Sequence, residues 1–289
     1  MLYVVYHIID IEQPQGMPLF LNLEQMESHL LEQEKDKASI EDTVPWSIRQ
    51  TFLGIFLTLL PWIVLTLLLN SFSGNTSITT PLSPRADLIN AIVTFVFSVI
   101  IEGAFLIAPR YFANAAYRSI RLHTRLALRA LGFRGYRIGR TLFWVALLML
   151  VIFGVNTLYS YAIYAFHLNL QTNDQLILQQ SKVAPLTTYA TLLAAVIVAP
   201  FCEEVVFRGF VLPGLCKGMP VGWAIFLSSL IFAVAHADPG SFLVLFIIGI
   251  ALGILRLRTH SIWPSIQLHM LNNGIAALTI VLTLQGVIH

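Results

Sequence analysis

Long apolar runs recur along the chain, broken by short polar stretches. Residues 51–70, 88–108, 142–166, 188–210, 221–235, 242–255 and 262–284 are each dominated by Leu, Ile, Val, Phe and Ala. A helix needs about 20 such residues to cross a hydrocarbon core roughly 30 Å thick. The pattern predicts an all-α, polytopic bundle of about seven spans (six to eight), because the fifth and sixth runs are short and invite tilted or partly re-entrant segments. The first 48 residues differ: Leu23, Met26 and Leu30 share one helical face among Glu and Lys, which predicts a surface amphipathic helix ahead of a turn at Pro45. The expected organisation is an N-terminal segment over 1–48, a first group of membrane helices over 49–187, and a C-terminal membrane core over 188–289.

Composition supports a bilayer over water. Hydrophobic residues make up 57% of the chain and charged residues 11%, against roughly 45–50% and 25% in soluble domains. The charges are segregated: nine of the fifteen acids precede Trp46, and eight arginines lie between Arg110 and Arg140 without an acid among them. Such asymmetry reads as topology and not as nucleic-acid binding, and it puts the arginine-rich loop and the N-terminus in the cytoplasm. Arg118, Arg121, Arg125 and Arg129 recur at helical spacing, so this loop is either a helix lying on an anionic leaflet or a solvated loop that fixes orientation. No cleavable signal peptide is expected, and the plasma membrane of a prokaryote is the expected host. Asn75-Thr76-Ser77 matches a glycosylation acceptor, a triplet common by chance. Cys202 and Cys216 have neither disulfide-framework nor zinc-cage spacing.

Ionisable groups within apolar runs cost several kcal/mol unless paired, so they mark function by default. The C-terminal part concentrates them. Glu204 and Arg208 stand one helical turn apart, as an ion pair requires, and Glu203 projects about 100° away, free to face a cavity. Phe232 precedes His236 by a turn, and His269 precedes Asn273 by a turn, so each pair shares a helix face. A carboxylate, two imidazoles and a carboxamide suffice for hydrolysis. Asp238 and Pro239 have a simpler reading, as N-cap and first residue of the following helix.

The ordered set EExxxR (Glu203 to Arg208), FxxxH (Phe232 to His236) and HxxxN (His269 to Asn273) resembles the CPBP family of intramembrane proteases, also called the Abi or CAAX prenyl endopeptidase family. The resemblance covers roughly residues 188–284. It implies that Glu203, helped by His236, activates a water for attack on a peptide carbonyl, that His269 and Asn273 stabilise the oxyanion, and that Glu204 with Arg208 orients the helix. An arrangement in which Glu203, His236 and His269 bind zinc stays open. The substrate implied is a membrane-associated or prenylated peptide met in the lipid bilayer. The competing reading is a non-catalytic scaffold or a proton-coupled transporter, with Glu102 and Asn156 as further polar positions; no symmetry between halves supports it.

One difficulty follows from topology. Counting alternate spans puts Glu203 and His269 toward one side of the membrane and His236 toward the other. Re-entry of residues 211–220, with Pro213, Gly214 and Gly218, offers a way for the four groups to meet.

Overall fold

The computed structural model describes residues 44–287, apart from 74–79, 117–122, 169 and 171. The acidic N-terminal segment with its Leu23, Met26 and Leu30 face lies outside the described residues, as do Arg118, Arg121 and the Asn75 triplet. The protein is an all-helical polytopic bundle. Its helices are α1 (Ile48–Ser73), α2 (Pro84–Phe105), α3 (Ile107–Ala116), α4 (His123–Ala130), α5 (Ile138–Ala165), α6 (Asn173–Ser181), α7 (Pro185–Cys216, with two internal π-helical segments), α8 (Val221–Ala235), α9 (Phe242–Thr259) and α10 (Trp263–Leu284). Among the described residues, six helices are long and apolar enough to cross a membrane, and α8 is apolar but shorter. The outward faces of α1, α2 and α5 carry Phe56, Ile100 and Leu150, all more than half exposed. Water would penalise that arrangement, whereas lipid tails solvate it.

Val44–His289 forms one compact unit, so the helices without a motif pack together with those that carry one. Its apolar centre lies around α7: Phe210, Val211, Leu212 and Leu215 are closed off by Trp46, Phe112, Leu131 and Ile262. Close approach needs a small residue at Gly209, where a Cβ would come within 2.8 Å of the Leu131 carbonyl oxygen.

The start of α7 is fixed from a distance. Pro185 has no N–H, and the residues after it present unpaired N–H groups at a helix N-terminus. Asp87, buried on α2, accepts from the Leu186 N–H at 2.8 Å, the Thr187 N–H at 3.0 Å and the Thr187 hydroxyl at 2.7 Å. A carboxylate 99 residues away thus does the work of an N-cap.

Two sequence expectations change. Residues 211–220 do not re-enter the membrane: the helix continues through Cys216, and a short turn leads into α8 at Val221. Nor does Asp238 cap α9. That helix starts at Phe242 with Ser241 as N-cap, and Asp238 instead accepts from the Ser241 and Asn173 N–H groups, at 3.1 Å each, tying the α8–α9 turn to the start of α6. Asn156 stands exposed on α5 and not in an internal polar path.

Candidate active site

The two acids occupy Ala199–Glu204, an α-helical stretch between the π-helical segments Ala194–Val198 and Val205–Val211. A residue-by-residue cause is visible in the first segment. The Ala199 N–H bonds the Ala194 carbonyl in the wide i→i+5 pattern. The next bond in that pattern would come from residue 200, but Pro200 has no N–H to give. The Ala195 carbonyl left over accepts instead from the side-chain amide of Asn273 at 2.9 Å. Asn273 is therefore held by a backbone irregularity that a proline creates.

Glu204 is fully buried and bonded as the sequence spacing predicts. Arg208 Nη1 donates to its Oε1 at 2.9 Å, and Arg208 Nη2 donates to the Gly249 carbonyl on α9 at 3.1 Å. The same Glu204 oxygen lies 3.0 Å from His269 Nδ1. Since a carboxylate only accepts, His269 carries a hydrogen on Nδ1, which leaves its Nε2 turned away from Glu204. His236 is set the same way. Its Nδ1 donates to the Phe232 carbonyl at 2.8 Å, which leaves Nε2 free of that contact.

Both Nε2 atoms face one atom. Glu203 Oε2 is 3.8 Å from His236 Nε2 and 3.8 Å from His269 Nε2. These contacts are too long for direct hydrogen bonds, and Glu203 Oε2 has no hydrogen-bond partner among the described residues. The Glu203 side chain is 14% exposed and that of His236 24%, against 0% for Glu204. One acid is consumed by structure, while its neighbour, turned away by the 100° offset between them, keeps a partly exposed side chain whose Oε2 is itself buried beside the two imidazoles.

Phe232 organises the set. It is fully buried, its ring centroid lies 4.5 Å from that of His236 and 5.7 Å from that of His269, and the Arg208 guanidinium sits 4.4 Å over its face. An aromatic face accepts the cation while the edges steer the imidazoles.

Helix lengths resolve the topological difficulty. At 1.5 Å per residue, Glu203 lies about 20 Å from the Cys216 end of α7, and His236 about 22 Å from the adjoining start of α8. Measured from the start of α10, His269 is about 9 Å and Asn273 about 15 Å along its axis. Because α8 stops after 15 residues, it delivers His236 at the depth of Glu203 and not at the far surface. Ala237, with φ of 50°, then turns the chain away.

The structure therefore brings together Glu203, His236 and His269, with Glu204, Arg208 and Phe232 behind them. Asn273 stands beside the same helix, bonded to Ala195. Glu102 on α2 lies within electrostatic range of Glu203, and its Oε2 is buried without a hydrogen-bond partner among the described residues. The sequence offered Glu102 as a further polar position of the competing reading. Two links were not foreseen: the His269–Glu204 hydrogen bond, and the anchoring of Asn273 through Ala195. As a metal site the donor types fit, with two imidazole nitrogens and a carboxylate oxygen, each ring held through its other nitrogen as metal-binding imidazoles usually are. Among the described residues, no group of three such side chains has the closer spacing of an assembled metal centre.

Comparison with known proteins bears out the resemblance to the CPBP family. Residues 185–275 match the family model described as "Type II CAAX prenyl endopeptidase Rce1-like". The chain is also 29% identical over 138 residues to a Bacillus subtilis (strain 168) protein named "Putative membrane peptidase YdiL". That match covers 47% of this chain and 55% of the relative, so the chain spans about half the length of the curated relative it matches. No solved structure matches.

Proposed function

We propose, from the premise that residues 185–275 match the type II CAAX prenyl endopeptidase Rce1-like family model, that this protein is an intramembrane endopeptidase. The observation that carries the reading is the shared 3.8 Å approach of two fixed imidazole Nε2 atoms to the otherwise unpartnered Glu203 Oε2. Groups separated by that distance are suited to sharing a water. Glu203 takes a proton from the water as its oxygen attacks the scissile carbonyl carbon, with His236 Nε2 orienting the nucleophile. As the tetrahedral intermediate collapses, the carbon–nitrogen bond breaks and Glu203 returns the proton to the leaving amine.

The oxyanion needs donors. Asn273 Nδ2 carries two hydrogens and gives one to Ala195, which leaves the other for a developing negative charge. His269, anchored to Glu204, supplies the second donor when its ring is protonated at Nε2. The substrate is a membrane-associated polypeptide, with prenylated C-terminal tails as the first class to test.

A second reading is favoured by the anchoring of both rings through Nδ1. Glu203, His236 and His269 would together hold a zinc ion, which supplies Lewis acidity and a more acidic bound water. In either case the protein groups orient water and substrate.

The test is hydrolysis of a prenylated peptide and an unmodified membrane peptide by purified protein, comparing wild type with Glu203→Gln, each with and without chelator. Loss of cleavage in Glu203→Gln supports the enzyme reading. Equal products from both proteins would remove it, and retained binding of a partner without any cleavage would favour a scaffold. Restoration of chelated enzyme by zinc would select the metal-dependent form.

A further inference from the structure

A surface cavity lies away from the carboxylate and imidazoles. It measures about 380 Å³, within the range of roughly 300–1,000 Å³ common to small-ligand sites, and lies between the loop into α5 and the C-terminal end of α9. Tyr136, Arg137, Arg140, Thr141, Arg258 and His260 line it, and none of its lining residues is acidic.

Two features give this cavity one electrostatic sign, and a third gives it fixed walls. Arg137, Arg140 and Arg258, all exposed, line it from two different elements. Arg137 is the N-cap of the 28-residue α5 but makes no side-chain cap, and the first turn of that helix has no acid, so its partial positive charge and free N–H groups also face this end. The third feature is rigidity. The Ser261 hydroxyl donates to the Arg134 carbonyl at 2.7 Å and the Ile262 N–H to the Gly132 carbonyl at 2.8 Å, which stitches one wall to the other. Arg258 is held over Trp144, 5.1 Å from the ring centroid, and His260 is kept in the left-handed region at φ 54°. A loop that served only to fix orientation would need basic residues but no walls.

Position identifies the occupant. The cavity sits where two membrane-crossing helices, α5 and α9, end together, at the level where lipid headgroups meet the bundle. Tyr136 also exchanges hydrogen bonds with Gln267 on α10, two residues before His269, so the cavity borders the helix that carries the candidate site.

We propose that this cavity binds the phosphate of an anionic phospholipid headgroup through Arg137, Arg140 and Arg258 at the N-terminus of α5.

The experiment uses the full chain in nanodiscs of phosphatidylcholine with or without phosphatidylglycerol, with retained lipid counted by native mass spectrometry. Each lost arginine removes about 1 kcal/mol, close to fivefold in affinity, so Arg137→Gln/Arg140→Gln should weaken phosphatidylglycerol retention by at least about tenfold. The charge-matched control Arg49→Gln/Arg85→Gln should retain it, and Arg137→Lys/Arg140→Lys should keep most of it. Thermal unfolding in phosphatidylcholine alone identifies any variant that fails to fold; the Lys variant carries the test in that case. Displacement of the lipid by millimolar inorganic phosphate, lost in the Gln variant, shows that the phosphate group itself is recognised. Saturable phosphate binding in phosphatidylcholine alone, dependent on the same arginines and unaffected by phosphatidylglycerol, makes free phosphate the source and overturns the lipid assignment. Equal lipid loss in the cavity and control variants would also overturn it, since the attraction would then be diffuse.

Discussion

His269 donates its Nδ1 hydrogen to Glu204 at 3.0 Å, on the same oxygen that takes the Arg208 guanidinium at 2.9 Å. This joins α10 to α7 and, through Arg208 and the Gly249 carbonyl, to α9. Glu204 is thus a positioning residue, and one carboxylate fixes both the helix register and the tautomer of a neighbouring imidazole.

Glu204→Gln should be costly on two counts. It leaves Arg208 buried beside a neutral amide, which costs about 3–5 kcal/mol for a broken buried pair. It also loosens the hold on the His269 ring, because a neutral amide oxygen accepts less strongly than a carboxylate, and cleavage per folded molecule should fall by about 10-fold. Denaturant unfolding and single-turnover cleavage on the same samples separate the two effects. Full activity per folded molecule would mean that the ring needs no such anchor.

Glu203→Gln should behave in the opposite way. Its Oε2 has no hydrogen-bond partner among the described residues and its side chain is partly accessible, so stability should change by less than about 1 kcal/mol. Cleavage should fall by about 10²–10⁴-fold, the usual contribution of a general base. A large loss of stability with modest loss of rate would exchange the roles assigned to the two acids.

Phe232→Ala removes the ring that lies between Arg208 and both imidazoles. The cavity left should cost about 3–5 kcal/mol, and Phe232→Leu should recover about half of that by filling volume. The Leu variant would still lack the aromatic face, so its cleavage rate should stay below wild type even where folding is restored. Thermal unfolding set beside specific activity distinguishes packing from ring electrostatics.

Asp87→Ala probes the long-range cap of α7. Losing the acceptor for two N–H groups and a hydroxyl should destabilise the protein by about 1–3 kcal/mol. Asp87→Asn keeps one acceptor oxygen and should lose less. Hydrogen exchange should quicken first at Leu186 and Thr187, and uniform quickening across the bundle would argue against a local cap.

What the sequence alone determined is what short-range geometry and hydropathy control. Apolar length marked the membrane helices, because a bilayer imposes a minimum span on any helix that crosses it. Helical phase set Glu204 against Arg208 and turned Glu203 away, since 3.6 residues per turn is a property of the local backbone alone. Motif order named His236, His269 and Asn273 as their partners. Tertiary structure decided everything that depends on how far one helix slides past another. No local pattern tells that His269 reaches Glu204, that Asn273 answers the carbonyl Pro200 leaves free, or that Asp87 caps a helix on the far side of the sequence. The depth of His236 is the clearest case: counting spans placed it on the wrong side, and only the shortness of α8, packed against its neighbours, brings it level with Glu203. Such registers are fixed by side-chain packing between helices, an interaction written in pairs of distant residues and not in any single stretch of chain.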